Sequence, residues 1–303
     1  MLYELQSELP EKAPLLIVYF AGVNDSGYAG RIAIEQLYSA LPSKTLARFN
    51  LDELINYKLS EPVLYIENWM VSKMEEPELT LDLLYDDEGT PILLLTGQEP
   101  HLRWEAFSTA VTNLATQMGV ELVISMKGIP LPLPHTRNPV VHLYTSDEEL
   151  AGSQPKWEQG FYFTASASHF LLYRLQQAGF ETIQFIASVP LYLKDETYRP
   201  AALALLTNIS QVLNIKLPIG NLAEEGKLEN YVVPEIIASA PNFANLVETF
   251  ETHHDEQIVP ALLDTPKYPI DLGEFGLNDQ EIDSDALVES IEQYLKRSNE
   301  AEN

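Results

Sequence analysis

The sequence contains no cysteine among its 303 residues, which excludes disulfide staples, thiolate metal sites and a cysteine nucleophile. A reducing compartment is compatible with this, and the cytoplasm is the expected location. Basic residues are scarce: 18 Lys and Arg stand against 45 Asp and Glu, a formal net charge of -27. A nucleic-acid surface needs a basic stripe that releases phosphate counterions, so no nucleic-acid partner is expected. Charge of this sign and size serves solubility and repulsion between molecules. Long apolar runs are missing too. The longest, about Pro14 to Gly22, is far short of the roughly twenty residues a membrane helix needs. The segment MLYELQSELPEKAP is acidic where a signal peptide is basic, so neither export nor membrane association is expected. Catalytic and metal signatures are equally sparse. H-E-x-x-H, Gly-x-Ser-x-Gly and calcium-loop patterns do not occur. His253 and His254 are adjacent on a predicted helix, where neighbours point about a hundred degrees apart. No metal and no cofactor is expected.

What is present is a substantial core. Hydrophobic residues make up 46% of the chain, too many for disorder to be the default. Leu15 to Phe20 is a continuous apolar run ended by Gly22, as in a strand covered on both faces. Ile34, Leu37, Tyr38 and Leu41 then share one helical stripe, with Pro42 as the stop. The pattern recurs as a strand over Ile92 to Thr96, a helix carrying Trp104, Phe107, Val111, Leu114, Ala115 and Met118, and a strand over Leu122 to Met126. A third unit comprises strand Pro139 to Tyr144, a helix over Ser166 to Ala178, and strand Thr182 to Ser188. Alternation of this kind predicts a three-layer α/β sandwich with a mainly parallel central sheet.

After Pro200 the chain turns helical, with Ala202, Leu205, Leu206, Ile209, Val212 and Leu213 on one stripe and Phe243, Leu246, Val247 and Phe250 on another. We expect an α/β core over 1–255, with a helical hairpin near 228–254 packed on the sheet or on another subunit. Residues 256–303 are expected to form an acidic extension with a short helix near 284–297.

Three polar loops follow predicted strands. In Ala21 to Gly27, Gly22 and Gly27 have phosphate-loop spacing, but Tyr28 and Ala29 stand where a lysine and a hydroxyl belong. Asn24 and Asp25 remain candidates for ligand binding, and helix capping is the plainer role. In Gln98 to Trp104, Glu99 and His101 are candidate proton carriers and Arg103 a candidate anion holder, at the sheet edge where α/β proteins bind ligands. An i,i+4 ion pair between Glu99 and Arg103 accounts for two of them structurally. In Ile129 to Pro139, four prolines stiffen a loop that carries His135, Thr136 and Arg137.

Taken in order, these segments resemble the proteasome assembly chaperone 2 family. Gly22-Val23-Asn24-Asp25-Ser26-Gly27 is similar to its Gly-Trp-Asn-Asp-Ala-Gly signature, with Val23 in place of tryptophan. The run from Gly97 to Phe107 resembles its Gly-Pro-Glu-Pro-Asn-Met-Arg-Trp-x-Ala-Phe segment, and Pro134-His135-Thr136-Arg137 matches its Pro-His-Thr-Arg. Ser146 to Leu150, Val189 to Tyr192 and Leu217 to Leu222 follow in the family's order. The resemblance spans roughly residues 14 to 255 and implies a phosphorylase/hydrolase-like core and members that self-associate. It also implies assembly of proteasomes in eukaryotes and archaea. The terminal Ala301-Glu302-Asn303 departs from the hydrophobic-Tyr-any-residue tail by which some members enter proteasome rings. The leading expectation is a non-catalytic, homo-oligomeric assembly factor with proteasome subunits as possible partners. The alternative is a hydrolase or phosphorylase using Glu99, His101, His135 and Arg137, and a small-ligand sensor is a third reading. Convergence of those four side chains on one pocket separates the enzyme from the assembly factor.

Overall fold

The computed structural model describes residues 2–22, 25–86, 89–154 and 162–258. Its eight-stranded sheet is built around β2 (Leu15–Ala21), which follows a short N-terminal β1 (Tyr3–Leu5). From the edge the strand order is β1, β3 (Ser43–Phe49), β6 (Leu79–Tyr85), β7 (Pro91–Gln98), β2, β8 (Leu122–Leu131), β10 (Glu181–Pro190) and β9 (Val141–Thr145). The central four, β7, β2, β8 and β10, are parallel to one another, as the alternating pattern predicts.

Period-two alternation explains the layers. Leu15, Ile17 and Tyr19 point to one side, where α1 (Ala29–Ala40) and α5 (Arg199–Leu213) cover them. Leu16, Val18 and Phe20 point to the other, against α2 (Trp104–Gln117) and α4 (Ala167–Gln177). Each fully buried Leu or Ile in these clusters contributes roughly 1.5–3 kcal/mol. The predicted stripe of α5 is buried throughout, from Ala202 to Leu213. This is the expected three-layer sandwich.

Two features differ from the sequence reading. β9 runs antiparallel to β10, so the third unit is not a parallel crossover. The chain between them includes α3 (Glu148–Gly152) and α4, and it returns β10 beside β8 instead. On the opposite flank, β3 and β6 extend the sheet antiparallel to β7 and were not anticipated. The connection from β3 to β6 also carries a separate hairpin, β4 (Val63–Glu67) and β5 (Met70–Glu75), whose residues are all exposed.

Beyond α5 lie two single-turn helices, α6 (Leu222–Glu225) and α7 (Glu235–Ala238), and then α8 (Phe243–His253). In the segment 228–254 only α8 is a helix of several turns. It packs through Phe243 and Phe250 on Tyr192. The helix expected near 284–297 lies outside the described residues. No described helix is long and apolar enough to cross a membrane.

Candidate functional site

The first loop is organised by Asp25, which is buried. Its Oδ1 accepts from the backbone N–H of Gly30 at 3.0 Å and of Gly128 at 2.8 Å. Its Oδ2 accepts from the N–H of Arg31 at 2.9 Å and from the Tyr19 hydroxyl at 3.1 Å. The carboxylate thus sits at the N-terminus of α1, where the helix dipole and free N–H groups favour an anion. Burial and the adjacent Asp25 hold the Tyr19 phenol well above its ordinary range. Gly27 adopts φ +66°, and a Cβ there would stand 2.9 Å from that of Tyr198, so the glycine is fixed by packing as well as by the turn. Asn24 lies outside the described residues.

Glu99 repeats the arrangement one strand away. Its Oε1 accepts from the N–H of Ala167 at 2.8 Å, in the first turn of α4. The expected Glu99–Arg103 ion pair does not form. α2 starts only at Trp104, and Arg103 itself is left-handed at φ 57°, so helical spacing does not relate the two side chains. Arg103 pairs with Glu53 instead. His101 Nδ1 accepts from the N–H of Asn56 at 3.0 Å, which ties the loop to the segment after β3.

The third loop faces α8. Arg137 donates to both oxygens of Asp255, at 3.0 and 2.7 Å, and to Glu251 at 3.2 Å. This fork holds Asp255 below the usual carboxylate range. Thr136 donates to Glu251. The His135 ring lies against Phe243, with Nδ1 2.7 Å from the Tyr192 hydroxyl. Burial lowers its pKa.

The seven described candidates therefore form three separate groups. Asp25 and Glu99 share a cleft at the C-terminal ends of β2, β7 and β8; His101 and Arg103 bind the segment after β3; His135, Thr136 and Arg137 bind α8. Glu99, His101, His135 and Arg137 do not converge.

The cleft contains polar residues that the sequence reading missed. Lys127 Nζ lies 3.1 Å from His169 Nε2, and His169 Nδ1 lies 2.8 Å from Ser166 Oγ, which in turn is 2.8 Å from Ser168 Oγ. Burial, with the Lys127 charge beside it, pushes His169 down to about 4, so the imidazole is neutral at pH 7. Lys127 is itself lowered by burial, against the opposing pull of Asp25 and Glu99. The backbone N–H of Ser166 also donates to His169 Nδ1 at 3.2 Å, closing a capping box at the start of α4, so Nδ1 is an acceptor. The one sequence signal for this set was Lys127, a cation directly after the apolar run of β8.

The cleft encloses about 30 Å³, room for one or two water molecules. Metabolite pockets are typically roughly 300–1,000 Å³. Among the described residues no group of three or more His, Asp or Glu is placed to hold a metal ion. Two helix starts that would attract a ligand's phosphate are filled by the chain's own carboxylates.

The PAC2 family model matches residues 19–233, a stretch that contains all three loops and the cleft. The chain belongs to the PAC2 family. A Mycobacterium tuberculosis protein of unknown function is 33% identical, with a TM-score of 0.79, covering 85% of this chain and 92% of its own. A Corynebacterium glutamicum protein of unknown function is 31% identical, with a TM-score of 0.78 and coverage of 85% and 98%. A proteasome-assembly chaperone homologue from M. tuberculosis shares the PAC2 fold at 20% identity, with a TM-score of 0.69 and coverage of 77% and 99%. None of the curated proteins matches.

Proposed function

We propose that this PAC2 protein is a non-catalytic, self-associating assembly factor of the cytoplasm that binds other proteins, with proteasome subunits as the first partners to test. The observation that carries this reading is the internal satisfaction of the sheet's C-terminal edge. Asp25 and Glu99 take the helix N–H groups that a bound phosphate would use, around a cleft too small for a metabolite. Family membership supports it, as does the fold shared with a proteasome-assembly chaperone homologue. Ring formation by purified proteasome α-subunits, followed by native mass spectrometry with and without the full chain, tests it. We expect a complex of chain and subunit and faster ring formation. No complex and an unchanged rate would overturn the proteasome reading.

The enzyme reading now rests on a different set, the Lys127–His169–Ser166 chain beside Glu99. His169 Nδ1, the nitrogen that faces Ser166 Oγ, is already engaged by the backbone N–H of Ser166 in the capping box that starts α4. We therefore assign these residues to holding β8 and α4 together.

A further inference from the structure

An edge strand presents backbone N–H and C=O groups that template pairing with another chain, and proteins shield such edges by specific devices. β9 is one edge of the eight-stranded sheet. The Ser146 N–H donates to the carbonyl of Thr182, and the Ser188 N–H to that of Val140, so the even-numbered residues of this strand bond to β10. Val141, Leu143 and Thr145 therefore turn their backbone groups outward. At Leu143 the outward position is taken by a side chain. Gln154 Oε1 accepts from the Leu143 N–H at 2.6 Å, and Gln154 Nε2 donates to the Leu143 carbonyl at 2.7 Å. One amide that both gives to and takes from a single residue reproduces what a residue of an antiparallel neighbour does, whereas a parallel neighbour splits those two bonds between residues. Among the described residues, the outward backbone groups of Val141 and Thr145 have no partner.

We infer that the outer edge of β9 is a docking site for an extended segment of a partner protein, which adds to the sheet as an antiparallel strand in place of the Gln154 amide. The inference rests on the partner binding proposed above and gives it a location. The edge also sets the chemistry of the segment. Residues directly opposite Val141 and Leu143 share their side of the sheet, where Leu143 is buried in the apolar layer under α1 and α5 and Val141 packs against it. The segment therefore carries apolar residues at alternate positions. Asp147, Glu148 and Glu149 directly follow β9, at the end where an antiparallel segment enters, and the two glutamates are exposed. Its leading residues are accordingly basic.

The acetylated peptide Lys-Lys-Val-Thr-Val-Thr-Val has this pattern and serves as the probe. Added to the full chain, it is expected to slow amide hydrogen exchange over 141–145 about tenfold and to leave the opposite edge, β1, unchanged. The same peptide N-methylated at its valines keeps the charge but lacks the donors that face β9, and should give no slowing. Gln154→Ala vacates the edge and should bind the probe about tenfold more tightly. Val141→Pro removes an outward donor at an edge position that tolerates proline, and should bind it about tenfold more weakly. Near-UV circular dichroism checks that the core of both variants is intact. The inference is overturned by unchanged exchange over 141–145, by equal slowing with the N-methylated peptide, or by an affinity of Gln154→Ala no higher than that of the unmodified protein. An unweakened Val141→Pro would overturn it as well. So would a larger sedimenting mass for Gln154→Ala than for the unmodified protein in peptide-free buffer, which assigns the edge to a second copy. The probe experiment uses no α-subunit, so failure of the edge and failure of the proteasome reading are distinguishable.

Discussion

Asp25 Oδ1 accepts a hydrogen bond at 2.8 Å from the N–H of Gly128, 103 residues further along the chain. The same carboxylate caps α1, so one side chain fastens a helix start to the neighbouring strand. Replacing it leaves two buried N–H groups, of Gly30 and Gly128, and the part-buried N–H of Arg31 without an acceptor. We expect Asp25→Ala to lose about 3 kcal/mol in urea unfolding. Asp25→Asn, which offers a donor where an acceptor is needed, should recover less than half. An unchanged midpoint for Asp25→Ala would remove this structural role.

The same substitution tests whether the carboxylate stands in for a ligand anion. With the N–H groups of Gly30, Arg31 and Gly128 uncovered, millimolar inorganic phosphate should raise the thermal midpoint of Asp25→Ala and leave the unmodified protein unmoved. Equal shifts in both proteins would contradict the idea that the site is already filled.

His169 has a folded pKa of about 4 against an ordinary 6.5. Between these values the unfolded chain binds a proton that the folded protein does not, so stability rises with pH through this window and is lost as pH falls from 6.5 towards 4. Above pH 6.5 the contribution is complete. Discounted for the ring's partial exposure, the loss is about 1–2 kcal/mol. Urea unfolding at pH 7, 5.5 and 4.5 should show a smaller decline for His169→Asn than for the unmodified protein. Parallel declines would mean that His169 does not titrate as described.

Arg137 is the fastening of α8, through Asp255 and Glu251. Arg137→Ala should speed amide hydrogen exchange across 243–253 by about tenfold or more, with little change in the sheet. Arg137→Lys should not restore protection, because an ammonium cannot reproduce the two-pronged contact with Asp255. If exchange in α8 is unaltered, its hold lies in Phe243, Phe250 and the Thr136–Glu251 hydrogen bond instead.

Two glycines offer a paired test. Gly27→Ala places a Cβ at positive φ against Tyr198 and Val189 and should cost about 2 kcal/mol. Gly152→Ala, in α3 with nothing within 4 Å, should be neutral or gain up to about 1 kcal/mol. Thermal unfolding distinguishes them, and equal effects would refute the packing account.

The parts of the fold legible in sequence were those with local periodicity: β2, β7, β8, and the stripes of α1, α2 and α5. β6 was not, because Asp82 interrupts its apolar run. In the structure Asp82 is buried and accepts from Tyr38 at 2.6 Å and Thr80 at 2.8 Å, a satisfaction supplied from 44 residues away. The hairpin 63–75 was overlooked for the converse reason, since its apolar residues have no core to serve. At the site, Asp25 and Glu99 stood out as polar residues at strand ends. Ser166 and His169 stand three residues apart at the start of α4, but Lys127 belongs to β8 and meets them only after the two elements pack, so no spacing in the sequence announces the set of three.

Carrying its own carboxylates at the starts of α1 and α4 also means that those helix N–H groups are engaged before any cellular anion arrives. A bare helix start would hold phosphate or nucleotide at an occupancy set by its concentration. Here a free anion would have to displace a tethered carboxylate, Asp25 or Glu99, to bind at either helix start.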